Sequence, residues 1–195
     1  MSIGKKERIL CAAQEIFARC GYAGTTMKMV AEQAGVASGL VFHYFESKEN
    51  LFMAAGSELI DTMMGVLSEK IESCKTGHDA LGTFIEAYLD FTLDNEKTFP
   101  TVIRCSPFSD DNPDLDRNKI GAKFKELTDL IEEILRRGVA DGSMKDVPIS
   151  QTAFMIYGSI VGAVRTRFLT PYTVPGLYDE VRQFILRSVC PGDAI

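Results

Sequence analysis

Apolar residues recur at helical spacing along almost the whole chain, and no stretch shows the strict alternation of a half-buried strand. In the first segment Ile9, Ala13, Ile16, Phe17 and Cys20 share one helical face. The same spacing joins Leu81, Phe84, Ile85, Tyr88 and Leu89, then Ile120, Phe124, Leu127, Ile131 and Leu135, and finally Leu177, Val181, Phe184 and Ile185. Turn and capping residues separate the stripes, among them Gly21, Gly35, the Asp141-Gly142 pair and Pro171. The fold class expected is therefore all-α, with about nine helices and no internal repeat.

Length and composition narrow the function. A chain of 195 residues, 46% hydrophobic and 25% charged, buries a core of its own and is neither disordered nor collagen-like. The longest nearly apolar run, Ala153 to Val164, is too short to span a bilayer, so no membrane partner is expected. Lys5, Lys6, Glu7 and Arg8 lead straight into a mixed pattern that does not read as a signal peptide. Five scattered Cys without a C-x-x-C pair read as reduced thiols, and the expected location is cytoplasmic. Only His43 and His78 are available as imidazole ligands, so no metal and no cofactor is expected. Enzyme signatures such as G-x-S-x-G, a phosphate-binding Gly loop or H-E-x-x-H are missing, and no catalytic residue is assigned. His78 beside Asp79 is the thin exception, read as a polar helix start.

Charge is unevenly distributed. The formal net charge is −6, yet residues 1–48 hold six Lys or Arg against four Glu. A mildly basic head on an acidic body suits contact with a polyanion through the head.

Residues 26–45, TMKMVAEQAGVASGLVFHYF, carry the most specific pattern. Thr26 is a natural N-cap, Ala31 is small where two helices cross, and Gly35 makes the turn. Val30, Val36 and Val41 fill the wedge between two short helices, the second held proud of the surface where it fits a major groove. With its flanks, the segment Gly21 to Phe52 resembles the TetR family of transcriptional regulators. That resemblance implies an N-terminal helix-turn-helix DNA-binding domain, residues 1–46, on a helical effector-binding and dimerisation domain, residues 47–195. It further implies a cytoplasmic homodimer on a palindromic double-stranded DNA operator, most simply a repressor released by a small-molecule effector.

Carried over by position, the resemblance places Thr26, Lys28, Ala37, Ser38, Leu40, His43, Tyr44 and Lys48 at the DNA. Thr26 and Tyr44 would meet the backbone, and Lys48 at the start of the fourth helix a phosphate. Lys28 is either a phosphate contact or a solvated surface residue. Ala37, Leu40 and Phe42 depart from the Ser, Thr and Tyr frequent in the family. Ala37 has no side-chain oxygen to cap the second helix, and Phe42 lacks a hydroxyl. Leu40 has only a methyl-bearing surface to offer a base, which suits thymine.

In the larger domain Phe84, Tyr88, Phe91, Phe99, Phe108, Phe124 and Tyr157 supply many rings for a helical bundle. They are either core or, as the resemblance implies, partly the walls of an effector pocket. Ligand binding there would tilt the fourth helix and change the spacing of the two DNA-reading helices. Gly158 and Gly162 form a smooth helical strip that favours close approach, within the chain or between subunits. With Leu177, Val181, Phe184 and Ile185 they are expected at the dimer interface, as a four-helix bundle. Two other classes stand beside this reading: a helical small-molecule sensing module without DNA binding, and an all-α enzyme.

Overall fold

The computed structural model describes residues 4–105 and 116–191. Nine helices and no strand occur among them: α1 (Lys5–Cys20), α2 (Met27–Ala34), α3 (Ser38–Phe45), α4 (Lys48–Glu72), α5 (Gly77–Asp94), α6 (Pro100–Cys105), α7 (Arg117–Ala140), α8 (Ile149–Leu169) and α9 (Leu177–Val189). The chain divides into two compact units. The first takes the described residues of Met1–Thr62 and Asn95–Phe124, and the second those of Met63–Asp94 and Lys125–Ile195. The long helices α4 and α7 each begin in the first unit and end in the second.

In the first unit α1 packs against α2 and α6, with Ile9, Ala13, Ile16 and Phe17 at or near zero exposure. Gln14 is a buried polar residue of α1, and its amide nitrogen and backbone carbonyl find partners. Its Nε2 donates to Glu58 Oε2 at 2.6 Å and to Ala55 O at 3.3 Å, while its carbonyl accepts from Thr101 Oγ1 at 2.6 Å. Helix α6 starts at Pro100. Proline suits the first helical position, where its missing N–H leaves no bond unmade. The turn before it is closed instead by Phe99 N donating to Asn95 O at 2.8 Å. Lys123 pairs with Asp61 across the same unit.

In the second unit α5, α8 and α9 pack on one another. The start of α5 sits against the end of α7 so closely that a Cβ on Gly77 would stand 2.2 Å from Gly138 N. Two polar side chains cap α5 there. Gly77 N donates to Asp141 Oδ2 at 2.7 Å and His78 N to Ser143 Oγ at 3.1 Å. Helix α8 begins at Ile149 with Pro148 at its cap. By length and composition α4 is apolar enough to cross a membrane, yet its Leu51, Phe52, Ile60 and Met63 are buried inside the protein.

Candidate nucleic-acid interface

Three short turns fix how α2 and α3 stand on α1. At the entry, Thr26 has extended backbone and its Oγ1 accepts from Met29 N at 3.2 Å, the N-cap its sequence position predicts. This use leaves the hydroxyl proton as a donor. Buried Thr25 donates from Oγ1 to Gly21 O at 2.7 Å.

Between the helices, Gly35 is left-handed, with φ 63° and ψ 44°. Gly35 N donates to Glu32 O at 3.2 Å and Val36 N to Ala31 O at 3.0 Å, the paired bonds of a Schellman turn. The turn is held from outside by Arg8 of α1, whose Nη2 donates to Ala34 O at 2.5 Å and to Gly35 O at 3.1 Å. A Cβ on Gly35 would meet that same Nη2 at 3.1 Å, so glycine serves both the backbone conformation and the clamp.

Helix α3 leaves Val41 and Phe45 buried and most of its remaining surface open. Ala37 stands at its N-cap without a side-chain bond, as its methyl dictates. Ser38, Gly39, Phe42, His43 and Tyr44 are exposed and Leu40 is half-buried, with the His43 and Tyr44 rings 5.5 Å apart. The helix ends in a γ-turn, in which Ser47 N donates to Phe45 O at 2.6 Å and Glu46 takes φ 61° and ψ −43°. Glu46 is the one non-glycine residue with positive φ among the described residues. That strained joint sets the direction in which α4 leaves α3.

Lys48 is tied to its own domain. Its Nζ donates to Tyr22 O at 3.0 Å and lies 4.2 Å from the centroid of the Tyr22 ring. The Tyr22 ring in turn packs 5.2 Å from Phe52 and 6.3 Å from Phe17. Lys28 is exposed and loosely paired with Glu32 at 3.9 Å. Thr26, Lys28, Ala37, Ser38, Leu40, His43, Tyr44 and Lys48 thus all lie on α2, on α3, at their N-caps or at the start of α4.

The rings singled out in the larger domain fall in both units. Phe84, Tyr88, Phe91 and Tyr157 are buried in the second unit, whereas Phe99 and Phe124 are buried in the first; Phe108 lies outside the described residues. Within the second unit the Phe84 and Tyr88 rings are 6.2 Å apart. The Tyr88 and Tyr157 hydroxyls bond each other, and burial raises both phenols above their ordinary pKa. Thr92 Oγ1 and Tyr178 OH form a second polar pair at 3.2 Å.

On α8 nothing stands within 4 Å of a Cβ placed on Gly158 or Gly162, so among the described residues no other helix approaches closely there. Phe154, Met155 and, on α9, Phe184 are exposed by 58%, 73% and 60%, Leu177 and Val181 are half-buried, and Ile185 is buried within the chain. Among the thiols, burial pushes Cys105 up to about 12, opposite to what a thiolate redox sensor needs. His78 Nε2 and Cys190 Sγ are in contact at 3.5 Å.

Sequence reasoning missed Arg8, Gln14, Tyr22 and Glu46. Arg8 and Gln14 are polar residues on an amphipathic helix, where periodicity assigns them no partner. Glu46 takes a conformation that its residue type does not advertise.

Residues 9–55 match the family model described as bacterial regulatory proteins, tetR family. The fatty acid metabolism regulator protein of Bacillus subtilis (strain 168) is 24% identical over 188 residues, covering 95% of each chain. The HTH-type transcriptional repressor AcnR of Corynebacterium glutamicum is 41% identical over 64 residues, 33% of this chain and 34% of that one. Among solved structures, the transcriptional regulator FadR from Bacillus subtilis in complex with stearoyl-CoA superposes with a TM-score of 0.80 at 23% identity. That likeness covers 92% of this chain and 96% of the other, and it concerns the fold.

Proposed function

We propose, from the match of residues 9–55 to the tetR family of bacterial regulatory proteins, that this chain is a member of that family and a cytoplasmic transcriptional repressor without catalytic turnover. As a homodimer it holds a palindromic operator through α2 and α3, and it lets go when a small molecule binds the larger domain. The observation that carries this reading is the Schellman turn at Gly35, clamped by Arg8, which presents an otherwise open α3. We assign residues 1–46 to DNA binding and 47–195 to effector binding and dimerisation.

Thr26, Ser38, His43 and Tyr44 offer hydrogen bonds to the DNA, Leu40 an apolar contact, and Lys28 and Lys48 positive charge. Ala37 leaves the first N–H groups of α3 without a side-chain acceptor, which suits a phosphate oxygen at that end. For the effector site we favour the neighbourhood of Phe84, Tyr88, Phe91 and Tyr157, where the bonded Tyr88–Tyr157 hydroxyls supply polar groups among buried apolar rings. The related FadR was solved with stearoyl-CoA, which makes a long-chain acyl thioester the first effector to try.

Such a ligand acts only through its preference for the spacing of α3 helices that does not fit DNA. Helix α4 runs unbroken from Lys48, beside α3, to Glu72 in the second unit, and it is the element through which that preference would act. The open strip at Gly158 and Gly162, with Leu177, Val181 and Phe184, is assigned to the partner subunit, and Ile185 supports it from behind. A gel shift of the purified protein on DNA flanking its own coding region tests the reading. A retarded band that stearoyl-CoA dissolves is expected; no retardation at low salt would refute DNA binding.

A further inference from the structure

Helix α3 carries no Lys, Arg, Asp, Glu, Asn or Gln between Ser38 and Phe45. Those are the side chains that make bidentate bonds to guanine or adenine, or accept from cytosine, in the major groove. At 100° per residue the buried Val41 and Phe45 fix the inward direction, and His43 points the opposite way. Gly39 and Phe42 flank His43 on one side, Leu40 and Tyr44 on the other. Phe42 is 52% exposed, and nothing stands within 4 Å of a Cβ placed on Gly39. A large apolar ring therefore stands beside an open notch on the outward face. Leu40, to which the sequence pointed for an apolar contact, is half-buried and presents less surface.

Phenylalanine bonds to no base edge, and the apolar group that the major groove displays is the thymine C5-methyl. The positive balance of residues 1–48, against an acidic remainder, matches this face to a polyanion rather than to a second acidic body. We propose that Phe42 is a specificity-determining residue that reads thymine by covering its C5-methyl group, so that operator half-sites are chosen through methyl contacts more than through bidentate bonds to purines. The proposal rests on the DNA-binding reading above. His43 and Ser38 then add single hydrogen bonds and orientation, and the missing side chain of Gly39 lets the helix approach the base edges.

The experiment uses the full-length protein and a duplex enriched by it from a random double-stranded library. The enriched duplex is resynthesised with uracil in place of thymine, one position at a time. Loss of one covered methyl is expected to weaken binding about fourfold at one or more thymines of each half-site, which is ~0.8 kcal/mol. Phe42→Ala should bind the thymine duplex as weakly as the wild type binds the uracil duplex, and should lose the difference between them at that position. Phe42→Leu, which keeps an apolar group, should retain part of it. Thermal melting of both variants should match the wild type, since the ring is exposed. Equal binding of every uracil duplex by the wild type, or an undiminished difference in Phe42→Ala, would overturn the proposal while leaving DNA binding intact. A Phe42→Ala variant that alters sedimentation but not the thymine preference would assign the ring to a protein contact and also overturn it. If no duplex is enriched, the DNA-binding reading fails and the proposal with it.

Discussion

Arg8 reaches from the first turns of α1 to the carbonyl of Ala34, 26 residues away, and donates to it at 2.5 Å. A second bond from the same nitrogen ends on Gly35 O. The guanidinium therefore satisfies carbonyls at the end of α2 that the helix itself leaves unpaired. Arg8→Ala should lower stability by ~1 kcal/mol and weaken DNA binding beyond that, because the turn that aims α3 loses its outer clamp. Chemical denaturation and a binding titration on the same sample check both effects. Unchanged affinity in a folded variant would show that Gly35 alone sets the turn.

Asp141 predicts an acid limb in the stability profile. Bonds from the Ser143 side chain, and then from the backbone N–H groups of Gly77 and Ser143, hold its carboxyl below the usual carboxylate range. The folded state thus binds the proton more weakly than the unfolded one. The stabilisation is present above the unfolded pKa and is lost as pH falls through the depressed folded value. Asp141→Asn should flatten that loss in thermal melts taken from neutral pH downward. A wild-type profile with the same slope as the variant would remove Asp141 from the account.

The contrast between Gly35 and Glu46 shows what was legible in the sequence. Gly35 follows an apolar periodic segment and takes the left-handed conformation that glycine tolerates, so the end of α2 was readable. Thr26 announced the start of α2 in the same way, through a side chain that caps locally. Glu46 also has a positive φ, but nothing in its residue type signals it. The exposed face of α3 followed from its own stripe, with Val41 and Phe45 inward. By contrast, the Arg8 clamp and the Gln14 bonds join residues far apart in the chain, and helical periodicity carries no record of such pairs. The scattered rings illustrate the same limit. Periodicity placed Phe84, Tyr88 and Phe124 on apolar stripes without saying that Phe124 belongs to a different unit from Phe84 and Tyr88.

Lys48 separates two roles that one variant can distinguish. If its charge also serves a phosphate, Lys48→Ala should weaken all duplexes alike and reduce the log–log salt slope by about 0.9 for each phosphate it no longer neutralises. Because Nζ already bonds Tyr22 O and caps that ring, melting should fall modestly as well. A lower melting temperature with an unchanged salt slope would confine Lys48 to holding Tyr22.

Gly162→Leu tests the dimer face. The chain itself has open space at that position, so the variant should fold with unchanged circular dichroism. In a subunit interface the added side chain would overfill a close helix crossing, typically costing about 1–3 kcal/mol. Sedimentation should then report folded monomers. A dimer as tight as the wild type would place Gly162 outside the interface.

The most direct test of the account is a hydroxyl-radical footprint of the full-length protein on DNA flanking its coding region. Two α3 helices in neighbouring major grooves should protect two patches on one face of the duplex, their centres about one helical turn or 34–36 Å apart. Both patches should vanish together as stearoyl-CoA or another effector is titrated in. A single patch, or no protection at concentrations where the protein is folded and dimeric, would contradict the account.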